Sequence, residues 1–333
     1  MKLATQRDGT RDGRLLMVSA DQSRAVSSRA AHNLITALED WKHYEPLLRA
    51  EAQALETSSP NGVAAFNPAS VLAPLPRAPQ WLDASAFRTH SELVAHAWSI
   101  PNRFSDEVPL MYQGASDDFL PAYGPSCLPD EAHDIDFEAE VAVIVDEVPM
   151  GTSGEAALGH VKLVMLANDV SLRAFGRSEH QTGFGFLQAK PSTIFSPLAL
   201  TPDELGICWR DGRLHQPITV RINGAWVGAP NAGHMSFSFG DLIAHAAKTR
   251  RLTAGTIIGS GTVSDPDRNA GSATILELRA VETLQHGEPK TPFLRFGDRV
   301  EIDALDESGR SIFGRIDHHM LQSPGDGTGA IHA

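Results

Sequence analysis

Residues 136–145 constrain the fold most strongly, because acidic residues there lead directly into a fully apolar run. The alternation of apolar and β-branched residues predicts a β-strand. Residues i and i+2 of a strand point to the same side, roughly 7 Å apart. Glu138 and Glu140 are therefore expected on one face, which they share with Ala142 and Ile144. The opposite face carries only apolar residues: Phe137, Ala139, Val141, Val143 and Val145.

The two glutamates on one face of this strand require an explanation. Like charges at that spacing repel, and partly buried carboxylates are costly unless they are paired or bound to a metal. A divalent cation with oxygen ligands would remove both penalties. The alternative is a strand end that reaches solvent with two hydrated glutamates, and the Glu-x-Glu pattern alone leaves both interpretations open.

The charge balance and the cysteine content narrow the class of protein. The 333-residue chain has 41 acidic and 28 basic residues and is 42% hydrophobic, which argues against a nucleic-acid or anionic-membrane surface. Cys127 and Cys208 form no metal-binding spacing and suit a reducing compartment. The chain has no uninterrupted apolar run of about 18 residues and no apolar segment after its N-terminus. We therefore expect a cytoplasmic protein without a membrane span.

The composition predicts three segments along the chain. Residues 1–72 are expected to form a small N-terminal domain of strands and helix. Residues 73–321 are expected to form the large domain, mainly β with mixed strand pairing and scattered helices, and thus of the α+β class. The Gly-rich residues 322–333 predict a disordered tail. The boundary is placed at a stiff connector formed by Pro74, Pro76 and Pro79.

Periodicity predicts the secondary structure within these segments. Helices are expected at 30–55 with a break at Pro46, at 91–98, at 152–159 and after a Ser238 cap. Strands are expected at 15–18, 136–145, 161–166, 193–200, 218–222, 225–227, 256–260, 272–280, 300–304 and 311–317. Asn223 and Gly224 predict a type I′ hairpin turn. Residues 99–135 are rich in Pro, Gly, Ser and Asp and are interpreted as a long functional loop region.

Several charged residues outside the Glu-x-Glu strand are candidates for a common site. Asp169 follows a buried strand, where site residues often gather, although Asn168-Asp169 also suits an ordinary turn or helix cap. Arg173 and Lys190 could orient an anionic substrate, yet either alone is more often a surface charge. These residues become informative only together.

A second group contains Asp83, His90 and Glu277. Asp83 could add a carboxylate to the set, and His90 titrates near neutrality, as a general base must. Glu277 lies in the apolar stretch expected to form a strand and needs a partner there, for which a histidine is a good candidate. A single histidine among 14 is by itself no signal. The turn 259–262 offers backbone N–H groups but lacks the lysine of a P-loop.

The ordered set of these motifs resembles the fumarylacetoacetate hydrolase family, in particular its longer bacterial members. The motifs span residues 83–277: Asp83 with His90, Tyr112-Gln113-Gly114, Asp136-Phe137-Glu138-Ala139-Glu140, Asn168-Asp169-Val170-Ser171-Leu172-Arg173, Lys190 with Ser196-Pro197, and Gly259-Ser260-Gly261-Thr262 with Glu277. The resemblance implies a small SH3-like β domain followed by a mixed β-sandwich roll, usually as a homodimer.

The resemblance also implies roles for individual residues. Mg²⁺ or Ca²⁺ would be bound by Asp83, Glu138, Glu140 and Asp169. His90 would activate water, oriented by Glu277, while Arg173 and Lys190 would stabilise the developing oxyanion. The substrate would be contacted by Tyr112, Thr262, Gly261 and Ser85.

The family likeness predicts hydrolysis of a carbon–carbon bond in a small 1,3-diketo acid. Fumarylacetoacetate, an intermediate of tyrosine and phenylalanine degradation, is the expected substrate. An acylpyruvate or fumarylpyruvate hydrolase, or a 2-oxo acid hydratase, isomerase or decarboxylase, is the alternative on the same scaffold. A non-catalytic binding protein that keeps a structural cation is a third hypothesis. Residues 174–180 and Ser85 depart from the family pattern, which leaves the substrate open.

Overall fold

The computed structural model describes residues 1–58 and 60–324, and most of its regular structure is β-sheet. The strands are β1 (Lys2–Gln6), β2 (Arg14–Val18), β3 (Arg24–Ser27), β4 (Ala64–Ala65), β5 (Val71–Leu72), β6 (Trp81–Ala84), β7 (Met111–Gly114), β8 (Tyr123–Leu128), β9 (Ile135–Asp136), β10 (Ala139–Val145), β11 (Val161–Asn168), β12 (Ser171–Leu172), β13 (Ile194–Phe195), β14 (Ala199–Leu200), β15 (Trp209–Arg210), β16 (Arg213–Leu214), β17 (Thr219–Ile222), β18 (Ala225–Gly228), β19 (Ile257–Gly259), β20 (Arg299–Asp303) and β21 (Ile316–Gln322). The α-helices are α1 (Leu34–Glu39), α2 (Trp41–Thr57), α3 (Arg88–Ala97), α4 (Gly154–Ala157), α5 (Arg173–Thr182), α6 (Phe239–Ala246) and α7 (Ile275–His286). The expected mainly-β, α+β class is confirmed.

Twelve strands form one large sheet, in the order β4-β3-β2-β1-β14-β11-β10-β19-β6-β7, with β13 paired to β11 and β5 to β1. The pairs are antiparallel except for β19 and β6, which run parallel. The first three strands belong to this sheet, because β1 pairs with β14 through Lys2–Leu200 and Leu3–Ala199. The N-terminal segment is therefore hydrogen-bonded into the same sheet as the large segment.

The strand register places several predicted site residues side by side. Glu140 lies in β10, and Asp169 directly follows the neighbouring strand β11. On the other side of β10, strand β19 aligns Gly259 with Asp83 of β6. Asp83 in turn lies opposite Tyr112 of β7. Residues far apart in the sequence thus meet at one end of the sheet.

The large sheet is buried on both faces, as the apolar run of β10 predicts. Val141, Val143 and Val145 point into one core, and Ala142 and Ile144 point into the other. The second core also contains residues of the N-terminal segment and helices α1 and α2, such as Leu3, Leu15, Met17, Leu38 and Leu48. The acidic end of the sheet therefore rests on a rigid apolar scaffold.

A second sheet of five strands, in the order β18-β17-β20-β21-β8, packs beside the first. Its hairpin turns at Asn223 and Gly224, whose φ angles of 52° and 79° match the predicted type I′ turn. Ser153 caps α4. Ser238 caps α6 in a capping box with Asp241, as the sequence predicted for Ser238.

The prediction of a strand at residues 272–280 is wrong, because the chain forms helix α7 there. The Thr274 side chain accepts a hydrogen bond from the backbone N–H of Leu276 at the helix start, and Gly287 ends the helix with a positive φ of 85°. Glu277 therefore lies in the first turn of a helix, and not in a strand.

Two other predicted strands differ in position. Residues 193–200 form two short strands, β13 and β14, because the Ser196 hydroxyl turns inward to the carbonyl of Leu198. The last strand is β21 and not 311–317, because Gly314 adopts a left-handed turn with φ of 71° before it.

The helical predictions need two corrections. Pro46 lies inside α2, and the break comes earlier, at Asp40 between α1 and α2. The buried face of α2, with Trp41, Leu48 and Leu55, compensates for the hydrogen bond that proline removes. None of the helices in the described ranges is long and apolar enough to cross a membrane.

The predicted loop at residues 99–135 and the predicted tail are also more ordered than expected. β7 and β8 lie within 99–135. Gln322 belongs to β21, and the N–H of Ser323 donates to the Leu128 carbonyl at 2.8 Å. The rest of the predicted tail, from residue 325, lies outside the described residues.

Candidate metal centre and active site

Three carboxylates converge at the acidic end of the large sheet. Asp83, Glu140 and Asp169 each offer an oxygen, and these oxygens lie within 4.8 Å of one another. All three side chains are buried. The structure thus brings together three of the four predicted metal ligands, while Glu138 lies outside this group.

Glu140 has the fewest hydrogen-bond partners of the three carboxylates in the described part of the chain. It is fully buried, and neither of its carboxylate oxygens has a hydrogen-bond partner among the described residues. Gly259 leaves the space in front of it, since a Cβ there would lie 2.3 Å from Asp83 Oδ1 and 3.1 Å from Glu140 Oε2. The sequence interpretation assigned Gly259 only to a tight turn and missed this role.

Burial and the neighbouring carboxylates raise the pKa of two members of the trio, Asp83 and Glu140. Burial, followed by the charge of Asp169, raises the pKa of Asp83 to about 8. Burial, followed by the charges of Asp83 and Asp169, raises the pKa of Glu140 well above its ordinary value. Such mutual repulsion in a buried cluster is relieved by protons or by a cation.

Asp169 is held by three donors. Tyr112 Oη donates to its Oδ2 at 2.5 Å, Thr193 Oγ1 donates to its Oδ1 at 2.9 Å, and Lys190 Nζ lies 2.7 Å from Oδ2. Burial, followed by the charge of Asp169, raises the pKa of Tyr112 well above its ordinary value. Tyr112, predicted as a substrate contact, thus supports an acidic residue of the trio.

Glu138 is paired with both predicted cations. Its Oε2 accepts from Lys190 Nζ at 2.6 Å, and its Oε1 lies 2.7 Å from an Arg173 Nη2. Burial alone would raise the pKa of Glu138, but the charges of Lys190 and Arg173 outweigh burial and lower it. Lys190 also donates to Ser171 Oγ at 2.8 Å. These three predicted residues therefore form one ion-pair cluster next to the trio.

His90 and Glu277 form the predicted pair. His90 Nδ1 and Glu277 Oε1 are 3.0 Å apart, and Glu277 is almost fully buried. His90 lies on α3 and Glu277 on α7, two helices that contact each other. Glu277 follows Thr274 by three residues at the start of α7, and the Thr274 hydroxyl accepts from Arg173 Nη2 at 3.0 Å, so the pair lies near the ion-pair cluster.

The remaining predicted substrate residues lie around Asp83. The N–H of Gly261 donates to Asp83 Oδ1 at 3.0 Å, and Gly261 adopts a positive φ of 74° against the Ala84 carbonyl. Thr262 is buried beside it. The hydroxyls of Ser85 and Ser91 lie 3.3 Å apart.

Asn168 and His318 form a buried support that the sequence analysis missed. Asn168 Oδ1 accepts from the N–H of Glu138 at 3.0 Å, so its amide nitrogen faces His318 Nε2 at 2.7 Å. Burial lowers the pKa of His318 to about 3. The neutral ring accepts at Nε2 and carries its proton on Nδ1. A polar residue of the second sheet thus reaches the first, and no sequence spacing indicates this contact.

Phe186 lies beside the site on its outer side. Its ring meets Tyr112 edge to face at a centroid distance of 5.0 Å and stacks on His180 at 6.1 Å. Three backbone N–H groups, from Leu187, Gln188 and Ala189, donate to the Glu179 carboxylate. The loop after residues 174–180, which depart from the family pattern, is therefore anchored on Glu179 and places the Phe186 ring against Tyr112.

The donor set fits a hard divalent cation. Asp83, Glu140 and Asp169 supply only oxygen ligands, which Mg²⁺, Ca²⁺ and Mn²⁺ favour. The unpartnered oxygens of Glu140 and the raised pKa values of Asp83 and Glu140 are what a site shaped around a positive ion would show.

Comparison with known proteins identifies the family. Residues 80–320 match the family described as the fumarylacetoacetate (FAA) hydrolase C-terminal domain, and residues 1–77 match the fumarylacetoacetase N-terminal domain 2. The chain belongs to the fumarylacetoacetate hydrolase family, which confirms the resemblance found in its motifs.

Individual relatives show the range of this similarity. The chain is 28% identical over 228 residues to fumarylacetoacetase from Caenorhabditis elegans, covering 60% of this chain and 53% of that protein. It is 28% identical over 157 residues to a mitochondrial oxaloacetate tautomerase from Xenopus laevis, covering 46% and 47%. The chain thus spans about half the length of these curated relatives.

A solved structure with the same fold is maleylpyruvate hydrolase from Sphingobium sp. SYK-6, with 16% identity, a TM-score of 0.64 and coverage of 97% of this chain and all of that one. The same enzyme was solved with manganese(II) ion and pyruvate, at a TM-score of 0.61, 18% identity and the same coverage.

Proposed function

We propose that this protein is a metal-dependent hydrolase that cleaves a carbon–carbon bond in a 1,3-diketo acid. The observation that carries the proposal is the arrangement of three elements: a buried carboxylate trio, a His90–Glu277 pair, and two anchored cations beside them. A hard-cation site, a base and oxyanion donors are the parts that this reaction requires.

Asp83, Glu140 and Asp169 would hold the divalent cation. Bound there, the cation would draw electron density from the two oxygens of a 1,3-dicarbonyl group. We propose Mg²⁺ or Ca²⁺ as the ion, and the manganese found with the similar hydrolase makes Mn²⁺ a useful probe. Glu138, which is paired with Lys190 and Arg173, would act as a fourth ligand only after a rearrangement of those pairs.

His90 would act as the general base. Glu277 Oε1 accepts from Nδ1–H, which leaves Nε2 as the free acceptor on the other side of the ring. Nε2 would take a proton from water, and the water oxygen would form a bond to one carbonyl carbon of the substrate. A positioned base of this type contributes about 10²- to 10⁴-fold in rate.

Arg173 and Lys190 would stabilise the negative charge that develops on that carbonyl oxygen. The bond between the attacked carbon and the adjacent CH₂ then breaks, and its electron pair leaves as an enolate. The proton held by His90 returns to the enolate carbon and gives a ketone, while the attacked carbon becomes a carboxylate. Lys190 is buried, Arg173 is partly buried with 18% of its side chain exposed, and carboxylates hold both cations, which suits a preorganised oxyanion site.

Fumarylacetoacetate is the proposed substrate, with fumarate and acetoacetate as products of tyrosine and phenylalanine degradation. The similarity to fumarylacetoacetase supports this choice. We also propose that the protein is a homodimer, as the family resemblance implies, and that it is cytoplasmic, as the composition suggests.

An acylpyruvate such as maleylpyruvate or fumarylpyruvate is the second candidate. Hydrolases of both substrates share the fold, and the manganese and pyruvate found in structures of both favour this class. Isomerisation of a 2-oxo acid is a further candidate, because an oxaloacetate tautomerase is among the relatives.

Turnover by the purified protein tests the proposal. Fumarylacetoacetate, maleylpyruvate, fumarylpyruvate and oxaloacetate would each be assayed with Mg²⁺, with Mn²⁺ and with EDTA. We expect release of an acid and a ketone from a diketo acid, and loss of that activity with EDTA. Activity that is insensitive to EDTA, or confined to oxaloacetate, would contradict the proposal, and binding without turnover would indicate the non-catalytic alternative.

A further inference from the structure

We propose that Asp136 is a positioning residue that fixes both the His90–Glu277 pair and Arg173 in the active site. This inference rests on the proposed function, because it assigns Asp136 a role in that reaction. The Asp136 carboxylate is fully buried and receives hydrogen bonds from three separate segments of the chain. The Asp-x-Glu-x-Glu run contains it, but neither the metal trio nor the proposed chemistry uses it.

The first set of contacts anchors the start of helix α7. Asp136 Oδ1 accepts from the N–H of Ile275 at 2.9 Å, and Oδ2 accepts from the N–H of Leu276 at 3.0 Å and the hydroxyl of Thr274 at 2.8 Å. The first N–H groups of a helix lack partners within the helix, and a negative charge there is favourable. Glu277 is the next residue, so Asp136 fixes the turn that presents Glu277 to His90.

The second set of contacts holds Arg173. Its Nε donates to Asp136 Oδ2 at 2.9 Å, and its Nη2 lies 2.8 Å from the same oxygen. Nη2 also donates to Thr274 Oγ1 at 3.0 Å and lies 2.7 Å from Glu138 Oε1. The guanidinium is thus locked between Asp136, Thr274 and Glu138.

These two sets share one carboxylate, and an asparagine would not replace it. Each Asp136 oxygen accepts at least two hydrogen bonds, whereas one end of an asparagine amide only donates. In either orientation its NH₂ group would face donors, namely Arg173 and the N–H of Leu276 on one side or the N–H groups of Phe137 and Ile275 on the other. The result would be a shifted arginine and a loosened first turn of α7.

The test compares Asp136→Asn with a matched control, Glu301→Gln. Glu301 is also a buried carboxylate paired with arginines, Arg299 and Arg315, but it lies in β20 of the second sheet. We expect Asp136→Asn to lower kcat about 10- to 100-fold, as supporting residues of a site do. KM and Mn²⁺ affinity should change little, because the hydrogen-bond and ion-pair partners of Asp136 are Phe137, Arg173 and residues 274–276, and not the residues of the trio.

The pH profile separates positioning from a general loss of stability. We expect the acidic limb of the kcat profile of Asp136→Asn to move relative to wild type, because Glu277 no longer holds His90 in the same way. In Glu301→Gln the limb should stay in place. An unchanged limb in Asp136→Asn would overturn the inference, and so would a fall in kcat that is matched by equal falls in Mn²⁺ affinity and Tm.

Substitutions of Thr274 test the same proposal if Asp136→Asn does not fold. Thr274→Val removes the hydroxyl that joins Asp136 and Arg173 while keeping the side-chain shape, and Thr274→Ser keeps the hydroxyl. We expect the valine variant to lose kcat and the serine variant to recover most of it. Equal activity of the two variants would contradict the proposed link.

A readout without turnover distinguishes this inference from the proposed function. The His90 ring signals, assigned in a ¹⁵N-histidine NMR spectrum by their loss in His90→Gln, report the bond to Glu277. If wild type turns over no diketo acid, the proposed function fails, yet Asp136→Asn should still alter these signals. Unchanged His90 signals would overturn the role of Asp136 whatever the substrate is.

Discussion

Glu140 carries an unfavourable interaction that a cation bound between the three carboxylates would relieve. A buried carboxylate without hydrogen bonds, next to two others, destabilises the folded protein. Natural proteins tolerate such costs mainly where function needs them. The sequence identifies Glu140 through the Glu-x-Glu pattern, but its two unpartnered oxygens depend on the strand register and on Gly259, which no local pattern encodes.

Replacement of this residue should separate stability from function. We expect Glu140→Gln to raise the unfolding free energy of the metal-free protein by roughly 1–3 kcal/mol, because the amide removes a carboxyl group that must either stay charged beside Asp83 and Asp169 or take up a proton on folding. The same variant should lose the thermal shift that Mg²⁺ gives wild type. Thermal unfolding with and without Mg²⁺ measures both effects. A metal-free Glu140→Gln protein that is less stable, with its Mg²⁺ shift intact, would contradict the assignment.

The raised proton affinity of Asp83 gives a pH dependence with a definite sign. Its folded pKa is about 8 against 3.8 for the ordinary group, so between those pH values the folded protein holds a proton that the unfolded chain has released. The unfolding free energy should therefore fall as pH rises through this window, by up to about 1.4 kcal/mol per pH unit. Mg²⁺, which competes with that proton, should stabilise the protein more at pH 8.5 than at pH 6. A thermal shift that is larger at pH 6 would contradict this.

Strand β19 and helix α7 show how single elements position the site. β19 has the apolar pattern that predicted it, yet its essential feature is the absence of a side chain at Gly259. α7 was predicted as a strand from its apolar residues, although Thr274 followed by Glu277 three residues later is a helix-start pattern. That signal was available in the sequence, whereas the docking of α7 against Asp136 depends on tertiary structure.

Gly259→Ala tests the space in β19. The added Cβ would lie 2.3 Å from Asp83 Oδ1 and 2.4 Å from the buried Trp81 ring. We expect overpacking to lower stability by about 1–3 kcal/mol and to weaken Mn²⁺ binding at least about 10-fold, since a ligand must move. Gly159→Ala is the control, because nothing lies within 4 Å of a Cβ at that position. Equal Mn²⁺ affinity in both variants would refute the close approach.

The N-terminal segment and the large segment share one sheet and one core, although the sequence suggests two separate domains. The proline-rich connector predicted a separate N-terminal domain, and the division at residues 72–73 remains a prediction. In the structure, however, β1 pairs with β14, and Leu3, Leu15 and Met17 share a core with Ile144 and Met165. Local composition indicates the connector, but it does not show that β1 of the first segment pairs with β14 of the large segment.

Truncation tests this continuity. A chain starting at residue 73 would expose the edge of β14 and part of the second core, so we expect it to aggregate or to unfold at a much lower temperature than the full chain. Circular dichroism with thermal melting measures this outcome. A truncated chain with the Tm of the full protein would show that the segments are independent.

His318 links the second sheet to the site. We expect His318→Leu to leave the Asn168 amide unpaired, at a cost of about 1–3 kcal/mol in stability, and to lower activity about 10-fold or more through Glu138. His319→Leu, at the exposed neighbouring position, is the control. Stability and turnover that are unchanged in His318→Leu would show that the buried contact is dispensable.

The central claim is that one hard cation binds between three buried carboxylates. Anomalous diffraction from a crystal soaked in Mn²⁺ tests it most directly. We predict a peak with oxygens of Asp83, Glu140 and Asp169 at about 2.0–2.6 Å, the range for hard divalent cations. A Mn²⁺ peak elsewhere on the protein, with the three carboxylates sharing protons and no metal between them, would contradict the account.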